Sequence, residues 1–342
     1  MKLQLKQVAS VVLATIAFHL PTATAASDPE VNVYSLRQSF LMQPLFDAFT
    51  KETGIKVNHT FAKKGLTERL KREGKNSPAD LLLTTDIGNL SAAKKANVLQ
   101  PVTSKTLENN IPSQYRDPEN YWFGLTTRVR NIYASKDRVP EGAISRYEDL
   151  ADPKWKGKIC TRSGKHPYNV ALIASMIAHH GEKDAQKWLK GVKHNLARKP
   201  QGNDRAQVKA IKEGVCDISL GNSYYYGKML TNKKQIAWAN SVNILFPNQE
   251  DRGAHVNISG MGLTRSAPNK SNAIKLMEFL ASDNAQKIYA EKNFEYPVKP
   301  GVSASPLVSS WGKFSADKLP LSEIDQYRTK ATKLVDKVDY DG

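Results

Sequence analysis

The sequence of 342 residues is 24% charged and 40% hydrophobic, with a formal net charge of +17, which predicts two domains with sizeable cores. The basic residues are scattered, with no block of five or six like charges and no basic motif studded with aromatic residues. We interpret the charge as a solvated basic surface and expect no nucleic-acid partner; a membrane surface or an anionic small ligand is the alternative explanation.

The first 26 residues have the parts of a secretory signal peptide. Lys2 and Lys6 precede an apolar run over residues 8–20, and Ala23-Thr24-Ala25 follows as a cleavage site. No later stretch approaches the ~20 apolar residues of a membrane-spanning helix. The sequence therefore predicts an exported and soluble mature protein, with residues 1–26 removed.

Residues 27–127 alternate between predicted strands and predicted helices. Alternating or continuously apolar runs predict strands at residues 31–35, 55–61 and 79–83. Apolar residues at helical spacing predict helices at residues 40–49, 66–73 and 90–96. This βαβαβ order is typical of an α/β lobe.

A long alternating strand at residues 123–135 is predicted to cross into a second α/β lobe. Further strands are predicted at residues 158–161, 216–220, 242–246 and 254–263, the last as a return crossing. Further helices are predicted at residues 170–178, 185–192, 206–211, 270–280, 285–292 and 323–335. We expect discontinuous lobes, an N-terminal lobe of residues 27–127 plus 255–305 and a C-terminal lobe of residues 128–254 plus 306–342.

Three consecutive tyrosines follow the predicted strand at residues 216–220. Gly221, Asn222 and Ser223 supply turn chemistry and a helix N-cap, so Tyr224 and Tyr225 are predicted in the first turn of a helix. That position, at the carboxyl end of a strand, is where open α/β sheets bind ligands. A hard metal ion stabilises two adjacent phenolates; a tyrosine-rich helix start packed on a neighbour is the alternative.

Cys160 and Cys216 are the only two cysteines in the sequence. An even pair in an exported protein suggests a disulfide, which here would join the segments preceding Thr161–Tyr168 and Tyr224. Two separate buried thiols are the alternative.

Segments distributed over the whole mature chain resemble the periplasmic ferric-iron-binding proteins of bacterial ABC importers, a branch of the two-lobed solute-binding proteins. The paired tyrosines are the most specific of these segments, whereas the Glu148–Lys158 block also occurs in other solute-binding proteins. The segments are those at residues 31–35, 53–57, 78–86, 124–130, 148–158 and 223–226. The resemblance implies two α/β domains joined by crossing β-strands, Fe³⁺ as the cargo, a periplasmic location, an inner-membrane ABC permease as the partner, and a monomer.

The resemblance also implies a metal site. Tyr224 and Tyr225 would bind Fe³⁺ through phenolate oxygens, and Tyr168 matches a third tyrosine that several members place 56 positions before the pair. Tyr226 would then be a packing residue. In the three-tyrosine branch a carbonate-like anion completes the coordination.

The resemblance leaves open what the N-terminal lobe contributes to this site. Some relatives have a histidine where this chain has Gln38 and a glutamate where it has Asp86, so these two residues are the candidates for a contribution to the metal. Arg37 and Arg128 are the candidate anion-binding residues, since a guanidinium matches a planar oxyanion with two hydrogen bonds.

Other functions are weighed against this one. The same fold could bind phosphate, sulfate or a polyamine. A secreted hydrolase is disfavoured, because the sequence has no G-x-S-x-G motif, no H-E-x-x-H motif and no evident Ser/His/Asp grouping. We treat His179 and His180 as surface histidines, because adjacent residues on a helix diverge.

Overall fold

A computed structural model describes residues 29–342, and the predicted signal peptide at residues 1–26 lies outside the described residues. The chain has the predicted α/β, two-lobed architecture. Within residues 29–342, no helix is both long enough and apolar enough to span a membrane.

In the described part of the chain, ten strands form the sheets. They are β1 (Glu30–Ser35), β2 (Lys56–Phe61), β3 (Leu81–Thr84), β4 (Leu99–Gln100), β5 (Phe123–Ser135), β6 (Ile159–Cys160), β7 (Ile218–Asn222), β8 (Val242–Leu245), β9 (Val256–Thr264) and β10 (Tyr296–Pro297). Along the main path the order is β2-β1-β3-β9-β5-β7-β6, and the three short strands β4, β8 and β10 pair outside this path.

Among residues 29–342, thirteen α-helices surround the sheets. They are α1 (Ser39–Thr53), α2 (Leu66–Glu73), α3 (Ile87–Lys95), α4 (Lys105–Asn110), α5 (Pro167–His194), α6 (Asp204–Lys212), α7 (Tyr224–Leu230), α8 (Ile236–Asn240), α9 (Lys270–Leu280), α10 (Asp283–Asn293), α11 (Pro306–Ser309), α12 (Leu321–Asp325) and α13 (Arg328–Lys337). The assignment of α5 joins two helices across Gly181, whose φ of 77° is not helical.

Strand β5 belongs to two sheets. Its residues 123–129 pair antiparallel with β9, whereas its residues 130–134 pair with β7 and its residues 132–135 pair with β8. All 13 of its residues are buried, because the strand runs through the middle of the molecule. The predicted crossing strand at residues 123–135 is therefore confirmed to the residue.

Most predicted elements have bounds close to those observed, with two exceptions. The strand before the tyrosines begins two residues later than predicted, and it includes Gly221 and Asn222, which were predicted as a turn. The predicted helices at residues 170–178 and 185–192 lie on either side of Gly181 in α5, so the predicted break between them is present. The predicted tail helix at residues 323–335 is two helices, α12 and α13.

Glycine at position 221 is explained by packing. A Cβ added there would lie 2.3 Å from Cε2 of Tyr133, a side chain that is fully buried beneath β7. Any larger residue would displace either Tyr133 or the strand, because close-packed cores tolerate little added volume. Gly221 therefore allows β7, the strand that leads to the tyrosines, to pack directly against the ring of Tyr133.

The predicted disulfide between Cys160 and Cys216 is present, with a Cα–Cα distance of 5.9 Å and a sequence separation of 56. It joins the end of β6 to the segment that enters β7. Closing a loop of this length stabilises the folded state by about 4 kcal/mol on the chain-entropy account. The bridge thus constrains the strand that carries the tyrosines.

Candidate metal centre

A cleft pocket of about 510 Å³ brings together six of the seven residues predicted for the metal and its anion. These six are Arg37, Gln38, Arg128, Tyr168, Tyr224 and Tyr225. They come from the segment between β1 and α1, from β5, and from the first turns of α5 and α7. The crossing strand β5 therefore passes beside the site that both lobes form.

The three tyrosines converge from two helix starts. The hydroxyl oxygens of Tyr168 and Tyr224 lie 3.4 Å apart, and the rings of Tyr224 and Tyr225 have centroids 4.2 Å apart. All three side chains are half-buried in the pocket wall. Three phenol oxygens thus face one region of the cleft, although they are separated by up to 57 positions in the sequence.

Local contacts explain the position of Tyr168. Pro167 occupies the first position of α5, where its missing N–H costs no hydrogen bond. The Nδ1 atom of His166 accepts a hydrogen bond from the backbone N–H of Tyr168 at 3.2 Å. Burial is the main cause that lowers the pKa of His166 to about 3, so this cap is a neutral imidazole. The helix start is therefore well defined before any ligand binds.

Ser223 does not form the predicted N-cap. Its backbone is already helical, with φ −54° and ψ −41°, and no side-chain capping bond is made. Its hydroxyl instead accepts a hydrogen bond from the backbone N–H of Val129 at 3.2 Å. This contact fastens the beginning of α7 to the crossing strand β5.

The phenols of the pair hold their protons tightly. Burial, and then the proximity of Tyr168 and Tyr225, raises the pKa of Tyr224 well above its ordinary value of 10.0. Burial, followed by the neighbouring Tyr168, also raises the pKa of Tyr225. At neutral pH both side chains are therefore neutral phenols in the absence of a cation.

A buried ion-pair network lies behind the tyrosines. Arg130 donates to Asp204 at 2.7 Å, to Asn222 at 3.1 Å and to Asn169 at 2.6 Å. Arg162 adds a second ion pair to Asp204 at 3.1 Å. Burial alone would raise the pKa of Asp204, but the two arginines outweigh it and hold that pKa below its usual value.

This network reaches the tyrosines through their rings and their backbone. The guanidinium carbons of Arg162 and Arg130 lie 5.4 Å and 6.0 Å from the centroid of the Tyr168 ring. Asn222, the last residue of β7, donates its backbone N–H to Asp204 at 3.0 Å. The role of Asp204 could not be predicted from the sequence, because its partner Arg130 is 74 positions away and no local pattern links them.

Tyr226 points away from the cleft pocket. Its ring lies against Tyr133, at a centroid distance of 6.1 Å, and against Trp311, at 5.4 Å. It lines a different cavity of about 560 Å³ behind α7. Only two of the three consecutive tyrosines therefore face the site.

The facing wall of the pocket is built around a buried carboxylate that the sequence analysis missed. Glu295 forms an ion pair with Arg37 at 2.9 Å and accepts a hydrogen bond from Thr126. Ser259 accepts hydrogen bonds from both Arg37 and Arg128, the latter at 2.8 Å. Burial alone would raise the pKa of Glu295, but the two arginines lower it below its usual value.

Asp86 lies outside the cleft pocket and is fully engaged. Its carboxylate caps α3 by accepting the N–H of Gly88 at 2.8 Å. It also accepts hydrogen bonds from Asn257 at 2.8 Å and pairs with Arg328 at 3.0 Å. A Cβ added at Gly88 would lie 2.3 Å from the guanidinium carbon of Arg328, so the arginine lies directly against this helix start.

The two neighbouring histidines are only partly exposed, and each contacts a carboxylate that the sequence did not predict. Both are half-buried, and each has its Nε2 atom 2.7 Å from a carboxylate oxygen, His179 from Asp317 and His180 from Glu148. Among residues 29–342, no group of three or more His, Cys, Asp or Glu residues is placed to hold a metal ion. Phenol oxygens, and not these groups, therefore make the candidate metal centre.

Comparisons with known proteins agree with this architecture. The family model described as bacterial extracellular solute-binding protein matches residues 76–315. Iron uptake protein A1 of a Synechocystis strain is 44% identical over 93% of this chain and 90% of its own length.

Two solved structures have closely similar backbones. Ferric iron-binding protein A of Mannheimia haemolytica, in an open conformation, is 54% identical with a TM-score of 0.88, covering 92% of this chain and 99% of that one. A Trichodesmium protein in complex with iron and citrate is 47% identical with a TM-score of 0.88, covering 91% of this chain and 99% of that one.

Proposed function

Because the chain belongs to the family of bacterial extracellular solute-binding proteins, we propose that it captures ferric iron in its cleft and delivers it to an ABC permease of the inner membrane. Of the two solved structures described above, one is a ferric iron-binding protein and the other is a protein in complex with iron and citrate. We assign the protein to the periplasm, where the Cys160–Cys216 disulfide is favoured, and we infer that it acts as a monomer.

The observation that carries this proposal is the convergence of three phenols. Tyr168, Tyr224 and Tyr225 supply three hard oxygen donors, the donor type that Fe³⁺ prefers over sulfur. As phenolates they balance the three positive charges of the ion. Fe³⁺ would overcome the raised pKa values of the pair, since a bound cation inverts the local preference for the protonated form.

We further propose that a carbonate-like anion shares the iron. Arg128 is the better-placed partner, because its Nε atom is buried without a hydrogen-bond partner among the described residues. Arg37 stands beside it but is already paired with Glu295, so its main role would be to set the position of that wall. We assign Asp86 a structural role, since its carboxylate is occupied by three partners.

We propose the lobe boundaries that the sequence suggests, residues 27–127 plus 255–305 and residues 128–254 plus 306–342. The change of partner along β5, from β9 up to Val129 to β7 from Arg130 onward, supports the first boundary. The tail helices α12 and α13 pack on α5, which supports their place in the second lobe. Two chain crossings at this level would act as a hinge for closure around the ligand.

A binding role fits the cleft better than a catalytic one. The tyrosine hydroxyls have no adjacent base within hydrogen-bonding distance in the described residues, so they lack what a nucleophile requires. Binding of phosphate or sulfate alone would leave the convergence of three phenols without a purpose, and a polyamine would face the positive charge of Arg37 and Arg128. We therefore rank ferric iron above the other solutes.

The experiment is metal analysis of the purified protein together with its visible spectrum. We expect one Fe³⁺ per chain and a phenolate-to-iron charge-transfer band. Each single Tyr→Phe change at positions 168, 224 and 225 should reduce the band and weaken iron binding by more than the ~10–100-fold typical for loss of an outer-shell partner. Tyr226→Phe is the matched control, because its ring faces the other cavity.

Full colour and full affinity in the Tyr224→Phe, Tyr225→Phe double variant would refute the iron assignment. Equal loss in Tyr226→Phe would instead show that the wrong pair had been chosen. Isothermal titration with phosphate and sulfate, in the absence of iron, tests the other solutes in the same preparations.

A further inference from the structure

The two strands that cross between the lobes share a hydrogen-bonded pair that is interrupted on one side. β5 pairs antiparallel with β9 up to Val129 opposite Val256, and the same register continues to Arg130 opposite His255. A hydrogen-bonded antiparallel pair exchanges two direct N–H···O bonds. Here the N–H of Arg130 donates directly to the carbonyl of His255 at 2.9 Å, whereas the reciprocal bond passes through a side chain.

That side chain is the phenol of Tyr147. Its hydroxyl donates to the carbonyl of Arg130 at 2.6 Å and accepts the N–H of His255 at 3.1 Å. Burial raises the pKa of this phenol, so it remains a protonated donor at physiological pH. A single hydroxyl therefore takes the place of one direct bond between the two crossing strands.

Tyr147 is itself held by the proposed C-terminal lobe. Its backbone N–H donates to Oδ1 of Asn248 at 3.1 Å, and its carbonyl accepts the indole N–H of Trp188 at 2.8 Å. The residue is only 1% exposed. The hydroxyl is therefore a fixed point of this lobe, while the two strands that it bonds lead on into the other lobe.

The position of this contact coincides with the proposed hinge and adjoins the tyrosines. Arg130 and His255 lie within three residues of the two proposed lobe boundaries. One residue earlier along β5, the N–H and the carbonyl of Val129 bond the hydroxyl and the N–H of Ser223 at 3.2 Å and 3.0 Å. Ser223 directly precedes Tyr224. The same stretch of β5 thus carries the inserted hydroxyl and the attachment of α7.

A bridging hydroxyl and a direct backbone bond respond differently to rotation of the strands. A direct N–H···O=C bond weakens steeply as its angle closes, and both of its groups have fixed directions in a strand. A hydroxyl proton rotates about the C–O bond, and its oxygen offers two lone pairs to a donor. The hydroxyl can therefore keep both of its bonds while the angle between the strands changes.

We propose that the hydroxyl of Tyr147 is a swivel in the hinge, which allows the lobes to close on iron without leaving the N–H of His255 or the carbonyl of Arg130 unpaired. The inference rests on the proposed function, because iron in the cleft drives the closure. Unpaired buried backbone groups are costly, so a hinge that lost these bonds on closure would oppose the closed form. Tyr147 is thus a positioning residue that acts on iron through the population of the closed form.

The experiment compares Tyr147→Phe with the wild-type protein, both as the mature chain. Small-angle X-ray scattering measures the contraction on iron loading, transfer of iron to a competing chelator measures the dissociation rate, and the visible band reports the phenolates. Tyr34→Phe is the matched control. Tyr34 is also buried, and its hydroxyl bonds Glu73 at 3.0 Å within the N-terminal lobe, outside the cleft pocket.

We expect the wild-type and the control protein to contract equally and to release iron at the same rate. Tyr147→Phe should bind one Fe³⁺ with an unchanged band, because no tyrosine at the metal is altered. It should contract less and lose iron about tenfold faster, the effect of one lost hydrogen bond on the closed form. The unchanged band together with faster loss separates a role in closure from a role in coordination.

Hydrogen exchange resolved to single amides tests the same point in the wild-type protein, and it decides the matter if Tyr147→Phe does not fold. The amide of His255 should be protected in both the iron-free and the iron-loaded form, because the swivel keeps its bond in both. Rapid exchange of this amide in either form would overturn the inference.

Other results would overturn the inference while the proposed function stands. One is a wild-type protein that binds iron with full colour and unchanged dimensions. Another is a folded Tyr147→Phe protein that matches the control in contraction and release, that releases iron more slowly, or that loses the band. A wild-type protein that binds no iron would overturn the proposed function, and this inference with it.

Discussion

The two walls of the cleft differ in how far their polar groups are already used. On the tyrosine wall, the hydroxyls of Tyr168 and Tyr224 contact each other, and neither they nor the hydroxyl of Tyr225 bonds a carboxylate or an amide side chain within residues 29–342. On the arginine wall, Arg37 and Glu295 are paired with each other. The tyrosine wall therefore offers phenol oxygens that can bind a cation, whereas the charged groups of the arginine wall are already held in place by their ion pair.

The support behind each wall differs in the same way. Behind the tyrosines, Arg130 and Asp204 are both almost fully buried and make a network that holds the helix starts. On the arginine wall the ion pair is itself part of the pocket lining. We infer that the first wall determines which metal binds, and that the second determines which anion accompanies it.

The largest expected effect is the change of iron affinity with pH, which tests whether the tyrosine wall binds the metal through phenolates. The raised pKa values of Tyr224 and Tyr225 mean that both phenols are protonated at neutral pH, so iron must displace at least two protons. Affinity should therefore rise by at least about 100-fold per pH unit between pH 5 and 8, because each displaced proton contributes a factor of ten. Calorimetry in buffers of different ionisation enthalpy measures the protons released.

The stability of the iron-free protein depends on pH differently from its affinity for iron. A tyrosine pKa raised in the folded state adds stability that is present below the unfolded value near 10.0 and is lost above it. The free energy of unfolding of the iron-free protein should thus show no change with pH from these tyrosines between pH 5 and 8, because the contribution is fully present over that whole range. A slope clearly below 100-fold per pH unit, after correction for iron hydrolysis, would mean that fewer than two phenolates bind the metal.

The second prediction concerns the support of the tyrosine wall. Asp204→Asn keeps the shape of the side chain but leaves Arg130 and Arg162 without their carboxylate. We expect the free energy of unfolding to fall by roughly 3–5 kcal/mol, as is typical when one partner of a buried ion pair is removed. Iron affinity should fall by about 10–100-fold, since the network positions Tyr168 and β7.

Asp336→Asn is the matched control for this change. Its partner Lys165 lies 2.6 Å away, but both side chains are more than half exposed, so no measurable change in unfolding or in iron binding is expected. Denaturant unfolding and iron titration of both variants make the comparison. Unchanged iron affinity in a folded Asp204→Asn protein would show that the network stabilises the lobe without positioning the ligands.

Site residues that are marked by their neighbours in the sequence were predicted, whereas residues that depend on contacts distant in the sequence were not. Tyr224 and Tyr225 were located by a strand that ends just before them, which is local information. Tyr168 was located by its offset of 56 positions within a family resemblance, and the structure brings it within 3.4 Å of Tyr224. Periodicity alone would have left it as one of 13 tyrosines.

Partners that lie far apart in sequence were not found. Glu295 is 258 positions from Arg37, and it directly precedes β10, which pairs with β5. Ser223 was assigned a capping role from its residue type, but in the fold its hydroxyl is used by Val129, which is 94 positions away. The residue type limits which hydrogen bonds a side chain can form, and tertiary contacts determine which of them it forms.

The smallest expected effect tests whether the arginine wall contributes a donor to the metal. Gln38 precedes α1, is exposed, lines the cleft pocket and has no side-chain hydrogen bond among the described residues. We expect Gln38→Ala to change iron affinity and stability by no more than about twofold, as for an exposed side chain without partners. Gln43→Ala, which removes an exposed glutamine of α1 outside the pocket, is the control.

A loss above tenfold at Gln38 alone, measured by competition with a chelator in bicarbonate buffer, would show that this wall also ligates the iron or its anion. In that case the division between a metal-selecting wall and an anion-selecting wall would have to be abandoned, because donors from both lobes would complete the same coordination sphere.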